Sequence, residues 1–111
     1  MDLTANLEAL IASGKDSAAL RLALASRYHS AGDLGKATEH AEVAVSLDPD
    51  YSAAWKLLGK VLAESGRGEQ AAESYRTGIS VAERRGDQQA AKEMRVFLKR
   101  LERDQSNQRD E

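Results

Sequence analysis

Shifting the 111-residue chain against itself by 34 positions brings its glycines and its apolar residues into register together. Leu24 falls on Leu58, Ala25 on Gly59, Tyr28 on Leu62 and Gly32 on Gly66. Ala37 falls on Ala71 and Ala44 on Gly78. Such a match restricts the chain to a unit built twice, and the spacing inside the unit shows what it is built from. Leu20, Leu24, Tyr28 and Ala31 recur at helical intervals, as do Ala54, Leu58, Val61 and Leu62. Gly32 and Gly66 stand where a left-handed residue ends a helix. A second helix then runs through Ala37, Ala41, Ala44 and Val45 in one copy, and through Ala71, Ala72, Tyr75 and Ile79 in the other.

The small residues at 37, 41, 44 and 71 let paired helices approach closely. Aromatics make up only 5% of the chain, so the core must come from alanine, leucine and valine. Strand alternation is missing, and the chain reads as all-α. Asp33 is placed to cap the second helix of the first copy, Gly68 that of the second, and Asp50 the first helix of the second copy. Pro49 disfavours helix at Asp48 and closes the first copy.

These residues resemble the tetratricopeptide repeat family, whose 34-residue unit is a pair of helices. The family pattern is Trp-x-x-Leu-Gly-x-x-Tyr, followed by a small residue, an aromatic and a proline. The second copy supplies Trp55, Leu58, Gly59, Leu62, Ala71 and Tyr75, and the first supplies Leu24, Ala25, Tyr28, Ala37, Ala41 and Pro49. Arg21 stands in for the tryptophan, Leu62 for the tyrosine and Glu83 for the proline. The resemblance covers 18–85. It implies antiparallel helical hairpins forming a short solenoid, with a role in binding proteins rather than in catalysis.

A single domain is expected over 1–103, with repeat one at 18–51, repeat two at 52–85 and a capping helix at 87–103. The polar stretch 104–111 is expected to be a disordered tail. Leu3, Leu7, Leu10 and Ile11, following Thr4, predict a short helix ending near Ser13-Gly14 and covering the open side of the first repeat. After Gly86, Asp87 is placed as an N-cap. Ala90, Ala91, Met94, Phe97 and Leu98 then repeat Ala54, Trp55, Leu58, Val61 and Leu62 at a spacing of 36. The last helix thus reads as a lone third first-helix.

Catalytic and metal chemistry find no support. There is no cysteine, so disulfides and thiolate metal sites are excluded. Gly59-Lys60 is followed by Val61 and lies in a helical stretch, so it is not a phosphate-binding loop. His29 and His40 read as separate surface histidines, and no pair of carboxylates is placed to face across a cleft. Arg85-Gly86-Asp87 spells an adhesion tripeptide but reads as a helix end, its terminator and the next cap. No cofactor and no enzyme activity are expected.

Charge is uneven: residues 1–50 carry four basic and eight acidic side chains, whereas 84–103 carry seven basic and three acidic. The basic stretch is interspersed with acids and nearly free of aromatics, which argues against nucleic acid. No run approaches the roughly 20 apolar residues of a membrane span. The N-terminus lacks the features of a signal peptide, so the cytoplasm is the expected compartment.

In the resembling family the first helices line a concave groove. The corresponding stripe here is Leu22, Ser26 and His29 in repeat one, Lys56, Lys60 and Ala63 in repeat two, and Lys92, Val96 and Lys99 on the cap helix. Four lysines on this stripe admit two readings. One is recognition of an acidic segment of a partner protein. The other is a solvated face that keeps a small protein soluble. Family members that clamp a C-terminal carboxylate use a lysine and asparagines, but Leu22, Ser26 and Lys60 occupy those places here. That clamp is therefore not expected. The alternative to an adaptor is a structural module that self-assembles into homo-oligomers, because two repeats are fewer than the usual three, and the expected state is a monomer or a weak homo-oligomer.

Overall fold

The computed structural model describes residues 2–109. Among them are six helices and no strand: α1 (Leu3–Ala12), α2 (Ala18–Ser30), α3 (Leu34–Leu47), α4 (Ser52–Glu64), α5 (Gly68–Arg84) and α6 (Gln88–Arg109). Helices α2 and α3 form one hairpin and α4 and α5 the next. The two hairpins stack, with α4 touching both α2 and α3, and α6 lies against α4 and α5. α1 packs on α2 alone.

The turns follow from the chemistry of helix ends. Gly32 and Gly66 adopt φ of 82° and 77°, a left-handed conformation that a side chain disfavours. Once the chain turns there, Asp33 N–H reaches Tyr28 C=O at 2.9 Å and Arg67 N–H reaches Leu62 C=O at 2.9 Å. Carbonyls that the helix leaves open are satisfied by these bonds. The same geometry at Gly86 resolves the adhesion-like tripeptide: Arg85 ends α5, and Asp87 accepts from Ala90 N–H at 3.1 Å to start α6.

Helix starts agree only in part with the sequence reading. Asp33 caps α3 by accepting from Lys36 N–H, as expected. Asp50 does not cap α4, whose N-cap position is held by Tyr51. Instead the Asp48 carboxylate accepts from Asp50 N–H at 3.1 Å, closing a turn around Pro49 that carries Asp50 away from the helix start. Asp50 then lies 3.5 Å from Arg84 of α5. Gly68 is the first residue of α5 rather than its cap. Thr4 lies inside α1, whose cap is Asp2.

The expected disordered tail is corrected over most of its length. α6 continues through Arg109, and residues 110–111 lie outside those described. The reason is contact: a Cβ built on Gly68 would lie 2.7 Å from Gln105 Nε2, so Gln105 is laid over the start of α5. Leu101 packs into both core clusters and holds the same turn of helix in place.

Alanine dominates the core. Ala25, Ala37, Ala41, Ala44, Ala54, Ala71, Ala82 and Ala91 are fully buried beside Leu24, Val61 and Met94. Each alanine buries little apolar area, but it lets neighbouring backbones approach and so brings the larger residues into dense contact. Two glycines extend this logic. A Cβ on Gly59 would meet the Tyr75 ring at 2.6 Å, and one on Gly78 would meet Met94 Sδ at 2.6 Å and Trp55 Cβ at 2.8 Å. Trp55 is fixed by a bond from Nε1 to the Pro49 carbonyl at 2.8 Å, so it has little room to yield.

Gly78→Ala gains about 1 kcal/mol of helix propensity but forces α4, α5 and α6 apart. Overpacking of this kind costs about 1–3 kcal/mol. We expect a net loss of stability in urea denaturation, with the helical content of the folded baseline unchanged. An unchanged or raised midpoint would show that the three helices do not need the close approach.

Candidate binding site

Three first helices, α2, α4 and α6, lie side by side, and two polar links cross between them. His29 Nε2 of α2 lies 2.6 Å from Glu64 Oε2 of α4. Lys56 Nζ of α4 donates to Glu93 Oε2 of α6 at 3.1 Å, and Gln89 supports the same carboxylate. The Lys56 hydrogen bond and charge hold the Glu93 carboxyl below its ordinary value. Lys56 and His29 of the expected groove stripe therefore join neighbouring repeats.

The other sequence-named residues divide into three places. Leu22 is half-buried and packs against the core around Ala25 and Leu58, and Ser26 is exposed on α2. Lys60 is exposed on α4 and makes no ion pair among the described residues. It borders a cavity of about 220 Å³ between α4 and α6, together with Ala63, Glu64, Tyr75, Phe97, Arg100, Leu101 and Asp104. Lys92, Val96 and Lys99 lie along a separate depression of about 370 Å³ on α6, with Arg95, Leu98 and Glu102.

The cavity between α4 and α6 combines an apolar floor with a charged rim. Tyr75 is 3% exposed and Phe97 is tilted against it, with ring centroids 5.8 Å apart. Burial, helped by the charge of Glu64, pushes the Tyr75 hydroxyl up to about 12, so it stays protonated and uncharged. Arg100 stands 6.0 Å over the Phe97 ring. Of the two rim acids, Glu64 is engaged by His29.

Tyr75, Phe97, Arg100 and Leu101 were not singled out as site residues in the sequence. One signal was available: at the 36-residue spacing Phe97 falls on Val61 and Arg100 on Glu64. An aromatic in place of a fully buried valine cannot be covered by the same neighbours. It is left half-exposed as a wall.

His40 departs from the expected surface histidine. It is half-buried, stacks on Tyr28 with centroids 5.5 Å apart, and accepts at Nδ1 from Arg21 at 3.1 Å. Arg21, in the tryptophan register, also holds Asp16 at 2.9 Å through two nitrogens. Among the described residues, no group of three or more His, Asp or Glu side chains could hold a metal ion.

A six-helix stack of repeated hairpins with a crevice between adjacent first helices defines a helical-repeat protein. The tetratricopeptide repeat family model matches residues 28–94, and the chain belongs to that family. It is 45% identical over 97 residues to a TPR repeat-containing protein of Pseudomonas aeruginosa, covering 87% of this chain and 92% of that one. A solution structure from Bordetella parapertussis superposes with a TM-score of 0.84 at 38% identity, covering 99% of this chain and 96% of the other. The Sgt2 TPR domain of Aspergillus fumigatus gives a TM-score of 0.78 at 25% identity, covering 98% and 80%. Proteins of this fold generally mediate protein–protein interaction and are typically not enzymes. No helix among the described residues is long and apolar enough to cross a membrane.

Burial is the main cause holding His40 below its ordinary value of 6.5, with Arg21 adding to it. The folded protein thus favours neutral His40 more than the unfolded chain does. The resulting stability is present above about pH 6.5 and is lost as pH falls below it. Urea midpoints should drop between about pH 7.5 and pH 5.5, and His40→Gln should flatten that slope relative to a His29→Gln control. Parallel slopes for wild type and His40→Gln would remove this assignment.

Proposed function

We propose that the protein is a cytoplasmic, non-enzymatic adaptor that binds an acidic segment of a partner protein along α2, α4 and α6. One apolar side chain of that segment enters the cavity between α4 and α6. The observation that carries this reading is the pairing of an apolar floor with two cations at one opening. Tyr75, Phe97 and Leu101 form the floor, and Lys60 and Arg100 stand at the rim. Neither cation makes an ion pair among the described residues. A volume of about 220 Å³ suits a single large side chain rather than a small-molecule cofactor.

The acidic character follows from what the framework leaves over. Lys56 and Glu93 neutralise one another and His29 occupies the Glu64 carboxylate, whereas Lys60, Arg100, Lys92 and Lys99 add positive field along α4 and α6. Against these, Asp104 is the one further acid at the rim of the cavity. Binding should therefore weaken with added salt. The lysine-and-asparagine clamp for a C-terminal carboxylate is missing at Leu22, Ser26 and Lys60, so the acidic groups recognised belong to side chains.

Fluorescence anisotropy with a labelled glutamate-rich peptide carrying one central phenylalanine tests this. Lys60→Glu with Arg100→Glu should weaken binding by at least about tenfold, or ~1.4 kcal/mol, at unchanged helicity. A glutamate-rich peptide without the phenylalanine should bind less well than the probe. Equal binding of a lysine-rich counterpart, or full affinity in the double variant, would overturn the proposal.

A further inference from the structure

The cavity between α4 and α6 holds a buried polar group that the fold leaves idle. Tyr75 is 3% exposed, yet its hydroxyl makes no hydrogen bond among the described residues. Among those residues no fully enclosed side-chain oxygen or nitrogen lacks a partner, so the hydroxyl oxygen sits where Tyr75 is still open. That opening is the cavity, which Tyr75 lines together with Lys60, Phe97 and Leu101. The charges that act on the hydroxyl are those of Glu64 and Arg100, both at the same rim. Glu64 is not itself bonded to Tyr75. His29 takes its Oε2, and its Oε1 makes no hydrogen bond among the described residues. An O–H donor and a carboxylate acceptor therefore open on one cavity without meeting each other.

We propose that the side chain entering this cavity, in the acidic segment whose binding is proposed above, is a tyrosine whose hydroxyl accepts from Tyr75 and donates to Glu64. The body of the side chain is apolar, because Ala63, Phe97 and Leu101 line the space it fills. Its tip must both accept and donate. Phenylalanine fills the volume but leaves the Tyr75 hydroxyl dry and unpaired, at the full cost of its desolvation. Tryptophan carries a donor and no acceptor, so the Tyr75 proton would stay unmatched. A carboxylate tip accepts without donating, and it brings a second negative charge up to Glu64. A phenolic oxygen does both, on a ring that is otherwise apolar.

Tyr75 is suited to the donor's part. Burial, with Glu64 adding to it, pushes its hydroxyl up to about 12, so it keeps its proton at neutral pH. Its ring is held against Gly59, where a Cβ would lie 2.6 Å away, so the hydroxyl is fixed in place before any ligand arrives. Such preorganisation lowers the ordering cost of the contact.

Tyr75→Phe removes the hydroxyl and keeps the ring. Because the hydroxyl bonds nothing in the free protein, the urea midpoint of this variant should not fall. Two labelled glutamate-rich peptides, one with a central tyrosine and one with a central phenylalanine, then complete a double-mutant cycle by fluorescence anisotropy. Wild type should favour the tyrosine peptide by at least about tenfold, and Tyr75→Phe should cut that preference by at least about threefold. A lowered urea midpoint would mean that the hydroxyl serves the fold, and would sink the assignment. Equal affinity of wild type for the two peptides would do the same while leaving the acidic-segment reading intact. An undiminished tyrosine preference in Tyr75→Phe would place the contact elsewhere and is equally fatal. If wild type binds neither peptide, both readings fall together.

Discussion

Close approach of helices through residues with little or no side chain is the constraint on which the rest of this structure depends. Gly59 lets the Tyr75 ring lie against the backbone of α4, and Gly78 lets Trp55 and Met94 converge on α5 from two neighbouring helices. With one tryptophan and one phenylalanine in the whole chain, the core cannot gain its energy from large side chains. It gains it from density, because every alanine or glycine at a crossing brings several larger residues within van der Waals range. The same constraint makes the cavity between α4 and α6. Tyr75 can floor that cavity only because Gly59 leaves the ring room to lie flat beneath Lys60 and Ala63.

Polar links then set how one repeat sits on the next. Lys56 with Glu93, and His29 with Glu64, join successive first helices, the first near the N-terminal ends of α4 and α6 and the second near the C-terminal ends of α2 and α4. They are partly exposed, so their contribution to stability is modest. Their effect is positional: they settle which charged groups are neutralised by the fold and which are left without an ion pair. Arg21 shows how far such links replace packing. It occupies the register of Trp55, yet both side chains reach back to the loop before their helix, Trp55 to the Pro49 carbonyl and Arg21 to the Asp16 carboxylate.

The ends obey a different rule from the middle. Interior registers that hold alanine at 37 and 44 are fully buried, whereas the same registers in α1 hold Leu3 and Leu10 and remain partly open to water. A helical repeat makes every unit depend on its neighbour, so the terminal units must either become polar or find another surface. α6 does both. Lys92, Lys99 and Arg103 make much of its outer face polar, while Val96 and Leu98 leave an apolar strip between them.

The sequence by itself determined the helices, their turns and their pairing. Period, glycine position and helical spacing are local properties of the chain, and Gly32, Gly66 and Gly86 act through their own backbone. It also determined the absence of thiolate chemistry, since that is a matter of composition. Only the tertiary structure decided which charges were free. Lys56 and Lys60 are indistinguishable as sequence, one helical turn apart, but α6 brings Glu93 to the first and an aromatic wall to the second. Tertiary contact likewise turned a polar tail into helix, through Gln105 lying on Gly68, and drew His40 under Tyr28. The physical reason is the same in each case. A residue's propensity is written in its neighbours along the chain, while its partners arrive from 12 to 37 positions away, once the helices have packed.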